Sequence, residues 1–126
     1  MVRSTLAMLA AAALGLAVGA APAAAQDVEA GKKAFLKCKT CHAIEAGKNQ
    51  IGPTLHGIIG RKSGQVAGFK YSKAMLDWAG TWDEKTLDAY IANPKAVVPS
   101  GSMAFVGIKA EKERADLIAY LKEATK

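Results

Sequence analysis

Cys38-Lys39-Thr40-Cys41-His42 is the stretch of this 126-residue sequence whose residue types and spacing point most directly to chemistry. Each of two thiols separated by two residues can add across one vinyl group of a porphyrin to give a thioether, and the imidazole that follows then reaches the iron from the same side. The two-residue spacer lets one turn of chain span both vinyls. The sequence holds no other cysteine, so no third thiol competes for a disulfide or a metal. A thioredoxin-like redox pair normally follows a strand in a βαβ unit, and no strand signal precedes Cys38. A zinc site wants four ligands, and His56 is the only other nitrogen donor of this type. A structural Cys38–Cys41 disulfide in an exported protein stays open on these residues alone.

The elements that must position this motif are helical. Asp27 caps a helix expected to run to about Lys39, with Val28, Ala34, Phe35 and Cys38 as its apolar face. Gly31 inside it costs about 1 kcal/mol relative to Ala, which marks a close approach of another backbone. The expected partner is a helix over Glu111 to Ala124, with Leu117, Ile118, Leu121 and Ala124 on one side, Tyr120 at the border and charges opposite. Between Ala43 and Lys70 glycines and Pro53 punctuate a chain without sustained periodicity. So long a loop counts against compactness unless it wraps a prosthetic group that replaces the missing apolar partner. Ser72 to Trp78 reads as a short helix. Thr81-Trp82-Asp83-Glu84 reads as a capping box that opens a helix with Leu87, Tyr90 and Ile91 on one face, ended by Asn93-Pro94. The expected fold class is all-α, with three main helices, one short helix and long loops wrapped around a covalently bound haem.

The first 25 residues read as a signal peptide ahead of a domain at 26–126. Arg3 opens an apolar run from Leu6 to Val18, and Ala23-Ala24-Ala25 suits cleavage before Gln26. The run is shorter than the about 20 apolar residues of a membrane span. The expected location is the periplasm. Without Arg3 the 17 basic side chains fall to 16 against 11 acidic ones, a formal charge of +5. That modest charge suits docking on acidic patches, and no basic tract or recognition motif points to nucleic acid. A domain this short buries only part of its surface, and an apolar macrocycle would add to its thin core.

A low-spin haem iron needs a second axial ligand. His56 is too close to His42 in a glycine-rich loop to reach the opposite face easily. Met75 lies in the expected helix over Ser72 to Trp78, where methionine usually fills core. Met103 lies in a loop between helices, Val97 to Phe105, long enough to swing over a haem, and is the best placed of the three.

Together, Gly31-Lys32-Lys33-Ala34-Phe35, the motif itself, the run Gly52 to Gly64, Gly68-Phe69-Lys70-Tyr71, Thr81-Trp82, Tyr90, Asn93-Pro94-Lys95, Met103-Ala104-Phe105 and Asp116 to Leu121 resemble the class I c-type cytochromes, of the bacterial c2 and mitochondrial kind. The resemblance implies one haem c on Cys38 and Cys41, with His42 and Met103 as iron ligands. It also implies that the Pro53 carbonyl accepts the His42 Nδ1 proton, and that Arg61, Tyr71 and Trp82 hold a buried haem propionate. Tyr90 falls near the methionine sulfur and Phe105 beside the exposed haem edge. Lys37, Lys95 and Lys109 match a docking ring around that edge. The implied role is a monomeric single-electron carrier without enzymatic activity. Its donor would be a cytochrome bc1 complex, and its acceptor a terminal oxidase, a photosynthetic reaction centre or a peroxidase.

Overall fold

The computed structural model describes residues 26–126, together with Ala12 and Gly15 alone of the preceding stretch; the rest of the expected signal peptide lies outside the described residues. Five helices follow in order: α1 (Val28–Lys39), α2 (Lys73–Trp78), α3 (Glu84–Ala92), α4 (Pro94–Val97) and α5 (Glu111–Ala124). Among the described residues the β-structure is one isolated antiparallel bridge, between Lys62 and Thr81, and no helix is long and apolar enough to cross a membrane.

α1 starts where the Asp27 carboxylate accepts the Ala30 N–H at 3.1 Å, which satisfies one of the free amides of the first turn. The helix buries Gly31, Ala34 and Phe35, whereas Val28, expected on that face, is exposed. Gly31 meets α5. A Cβ on it would stand 1.9 Å from the Asp116 carbonyl oxygen, so the two backbones touch and only glycine fits. Next to this crossing the Phe35 and Tyr120 rings lie 5.4 Å apart, and Leu117 is 0% exposed. The Asp116 carboxylate accepts the Asp27 N–H at 2.9 Å and pairs with Lys112 at 2.8 Å. These bonds hold its pKa below the usual carboxylate range, the Asp27 N–H contributing most. α5 lacks a side-chain cap. Arg114 ties the start of the helix to its surroundings, donating back to the Ile108 and Lys109 carbonyls and across to Asp88 of α3 at 2.7 Å.

Two local expectations are corrected. The cap of α3 is Asp83, whose carboxylate accepts the Thr86 N–H at 2.7 Å, so Thr81 is not the cap and the helix opens at Glu84. Thr81 instead sits in the bridge to Lys62. Pro94 ends α3 as expected, but it also begins α4, where a missing N–H and a fixed φ suit the first helical position. The described residues therefore hold two short helices, α2 and α4, and the loop toward Met103 starts after Val97.

From Ala43 to Lys70 the chain is loop, tied down by scattered backbone bonds. Leu55 N–H reaches the Ala43 carbonyl, Gly57 N–H that of Thr125 and Gly60 N–H that of Trp82. A core of Ile58, Trp82, Leu87, Tyr90, Ile91, Val98 and Ile108 joins this half to the helices.

Candidate haem site

α1 delivers the motif. Beyond its end, the Cys41 and His42 N–H groups both donate to the Cys38 carbonyl, at 3.1 and 2.9 Å, so the chain turns tightly between the two thiols. Both thiols are free and partly buried. Burial pushes the Cys38 thiol up to about 11, opposed by the charge of Lys37. No group of three or more His, Cys, Asp or Glu that could hold a metal occurs among the described residues.

His42 is held from two sides. Its Nδ1 lies 2.8 Å from the Pro53 carbonyl oxygen. A carbonyl can only accept, so Nδ1 carries the hydrogen. Burial lowers the imidazole pKa, partly offset by this bond and reinforced by the charge of Arg61. The ring is therefore neutral with its Nε2 lone pair available, the state a metal requires. Gly52 forms the floor of this cradle. A Cβ there would lie 2.2 Å from the imidazole Cε1. Its N–H donates to the Cys41 carbonyl at 2.7 Å. In the sequence Gly52 is only the first residue of the Gly52 to Gly64 run, directly before Pro53; its place under the His42 ring comes from the fold.

Met103 lies on the loop from Val98 to Ala110, whose ends are anchored by buried Val98 and Ile108. The Ile108 N–H donates to the Ile91 carbonyl at 2.8 Å, and Gly107 passes so close to Ala92 that a Cβ would fall 2.2 Å from its carbonyl oxygen. Within the loop the Met103 sulfur is partly buried and 3.7 Å from the Tyr90 hydroxyl. Burial raises the Tyr90 pKa, which keeps the phenol protonated and able to donate. Phe105 and Cys38 pack against the same apolar cluster as Met103. Met75 packs there too, from α2, while His56 is exposed.

Trp82 is buried between Trp78 and Tyr90, with ring centroids 4.7 and 4.8 Å away. Arg61 Nη1 donates to the Thr54 and His56 carbonyls at 3.0 and 2.9 Å, while its buried Nε has no partner. The Tyr71 hydroxyl accepts the Val66 N–H at 3.0 Å, which leaves its own hydrogen free to donate. Of the expected docking lysines, Lys37 is paired with Glu113 at 2.5 Å. Lys109 donates to the Ala92 carbonyl at 2.7 Å and the Val106 carbonyl at 3.3 Å. Lys95 is exposed.

The family profile for cytochrome c matches residues 28–125. The chain belongs to the cytochrome c family. Cytochrome c2 of Rhodoplanes tepidamans is 50% identical to it over 99 residues, covering 78% of this chain and 92% of the relative. Cytochrome c2 of Blastochloris viridis is 47% identical over 109 residues, 86% of each chain. Among solved structures, cytochrome cH from Methylobacterium extorquens superposes with a TM-score of 0.73 at 45% identity, over 77% of this chain and 98% of that one. The all-α cytochrome c fold follows, and membership implies a covalently bound haem c. The donor set fits that group: two free thiols, a neutral imidazole with Nε2 free, a thioether and an unpaired guanidinium Nε.

Proposed function

We propose that this chain is a monomeric single-electron carrier of the periplasm, exported by a signal peptide over residues 1–25. Its haem c would be attached through Cys38 and Cys41, with His42 and Met103 as axial ligands. The observation that carries the reading is the pair of fixed donors. His42 is oriented by Pro53 and Met103 is held by Tyr90. When bound, the haem iron supplies the reversible one-electron step.

The chain's own residues do the rest. The Pro53 carbonyl holds the Nδ1 proton and so keeps the imidazole a good donor. A thioether sulfur favours the ferrous state and raises the potential. The Tyr90 hydroxyl orients Met103. Arg61, Tyr71 and Trp82 would surround the inward carboxylate, whose charge is costly to bury without donors. With His42 and Met103 both bound to the iron, no open site would remain for a substrate, so the proposed role is electron transfer without enzymatic activity.

Electrons would pass at the edge beside Cys38 and Phe105. Val106, next to Phe105, is 86% exposed and gives that edge an apolar contact. Lys95 presents its charge freely, whereas Lys37 and Lys109 would exchange their present partners for a partner's carboxylates. By likeness to the cytochromes c2, the donor is a cytochrome bc1-type complex and the acceptor an oxidase, a reaction centre or a peroxidase. Lysine-led docking raises the encounter rate, and salt screens it. Reduction by the donor complex should therefore slow as ionic strength rises; indifference to salt would rule out the lysine docking. The ligation is tested in the ferric spectrum, where a weak far-red sulfur-to-iron band is expected. Rapid carbon monoxide binding to the native reduced protein would instead reveal an open iron site.

A further inference from the structure

Gly60 to Ser63 runs antiparallel beside Gly80 to Trp82. The Gly60 N–H donates to the Trp82 carbonyl, the Trp82 N–H to that of Arg61 and the Ser63 N–H to that of Gly80, each at 2.8 Å. The bridge between Lys62 and Thr81 lies in the middle. Alternate side chains of extended backbone point to opposite faces. Lys62 and Thr81 are exposed, so Arg61, Ser63 and Trp82 share the inner face.

That face carries a defect of one kind. Ser63 is 6% exposed, and its hydroxyl has no hydrogen-bond partner. Arg61 Nε is the other buried side-chain polar atom without one among the described residues. Buried donors left unpaired are costly and rare. The Arg61 guanidinium is met only by neutral carbonyl oxygens and by no carboxylate among the described residues, and burial lowers its pKa. The charge of Tyr71 opposes that lowering, and its hydroxyl, which accepts the Val66 N–H, keeps its own hydrogen to donate. A water could satisfy the bonds but not neutralise the cation. The complement of an Arg Nε and nearby hydroxyls is an anion with two oxygens.

We infer that Ser63 is a further positioning residue, whose hydroxyl donates with Arg61 Nε to the inward carboxylate of the haem. The inference rests on the haem reading proposed above. Each donor on that carboxylate offsets negative charge near the iron. Removing one leaves more of that charge uncompensated and favours the ferric state.

The test compares the mature wild-type holoprotein with Ser63→Ala and Ser63→Thr. At a fixed ambient potential Ser63→Ala should shift the ferric-to-ferrous ratio toward ferric by about threefold or more, and should move the carboxylate band in the redox-difference infrared spectrum. Ser63→Thr, which keeps the hydroxyl, should leave both near wild type. If Ser63→Ala binds haem but leaves ratio and band unchanged, the hydroxyl serves only packing and the inference is overturned. A wild-type protein that carries no haem after maturation would overturn the haem reading itself, and this inference with it.

Discussion

The helical frame and the looped half of this molecule are finished to different degrees. Where α1 crosses α5, each group has its partner: Gly31 admits the Asp116 backbone, Phe35 meets Tyr120, and the Asp116 carboxylate is bonded to Asp27 and Lys112. The looped half turns repeatedly on glycines at positive φ, such as Gly57, Gly60 and Gly64. It leaves Arg61 Nε and the Ser63 hydroxyl unpaired, and two thiols free beside it. One half is closed by its own side chains, and the other keeps donors that the proposed haem and its carboxylate would engage. Substitutions in the first should therefore change stability, and those in the second should change ligation and potential.

The largest effect is expected from Met103→Ala, which removes the proposed thioether ligand. The midpoint potential should fall by about a few tenths of a volt, and the reduced protein should bind carbon monoxide. Retention of the wild-type spectrum would dismiss Met103 as a ligand. Next comes Gly52→Ala, whose Cβ would intrude on the His42 ring. It should disturb the haem absorption spectrum more than the far-ultraviolet helix signal, because the clash falls on the His42 ring, beyond the end of α1.

Gly31→Ala sharpens the contrast from the other side. Helix propensity favours the alanine by about 1 kcal/mol, but a Cβ 1.9 Å from a carbonyl oxygen cannot be accommodated without parting the helices. A net loss of about 3 kcal/mol in urea unfolding is expected, with the visible spectrum of the folded fraction unchanged. The smallest effect is a pH dependence. Asp116 has a folded pKa below its unfolded value. Its contribution is therefore present at neutral pH and fades as the pH falls below about 4, through the folded value. Asp116→Asn should be less stable than wild type at pH 7, and the gap should narrow on acidification; a constant gap in urea midpoints would contradict the assignment.

The frame was legible because its signals are local. Asp27, the periodicity of Glu111 to Ala124 and the awkward Gly31 each speak within a turn or two of chain. The errors were local too. Thr81 and Asp83 both offer caps, and the spacing to Glu84 favoured the wrong one. Pro94 serves equally to stop one helix and to start another. The motif and its histidine stand out by spacing, while Met103 as the proposed second ligand rests on the family resemblance. What spacing could not give were contacts closed by the fold: the Gly52 cradle under His42, the Glu113 partner of Lys37, and the burial of Ser63 beside Arg61.

The most direct test of the account is a pyridine haemochrome measurement on the mature protein, made in a host with a cytochrome c maturation system. The account predicts one haem per chain with the spectrum of two thioether links, still attached after extraction with acidified acetone. A colourless protein, or haem lost to the acetone, would contradict it.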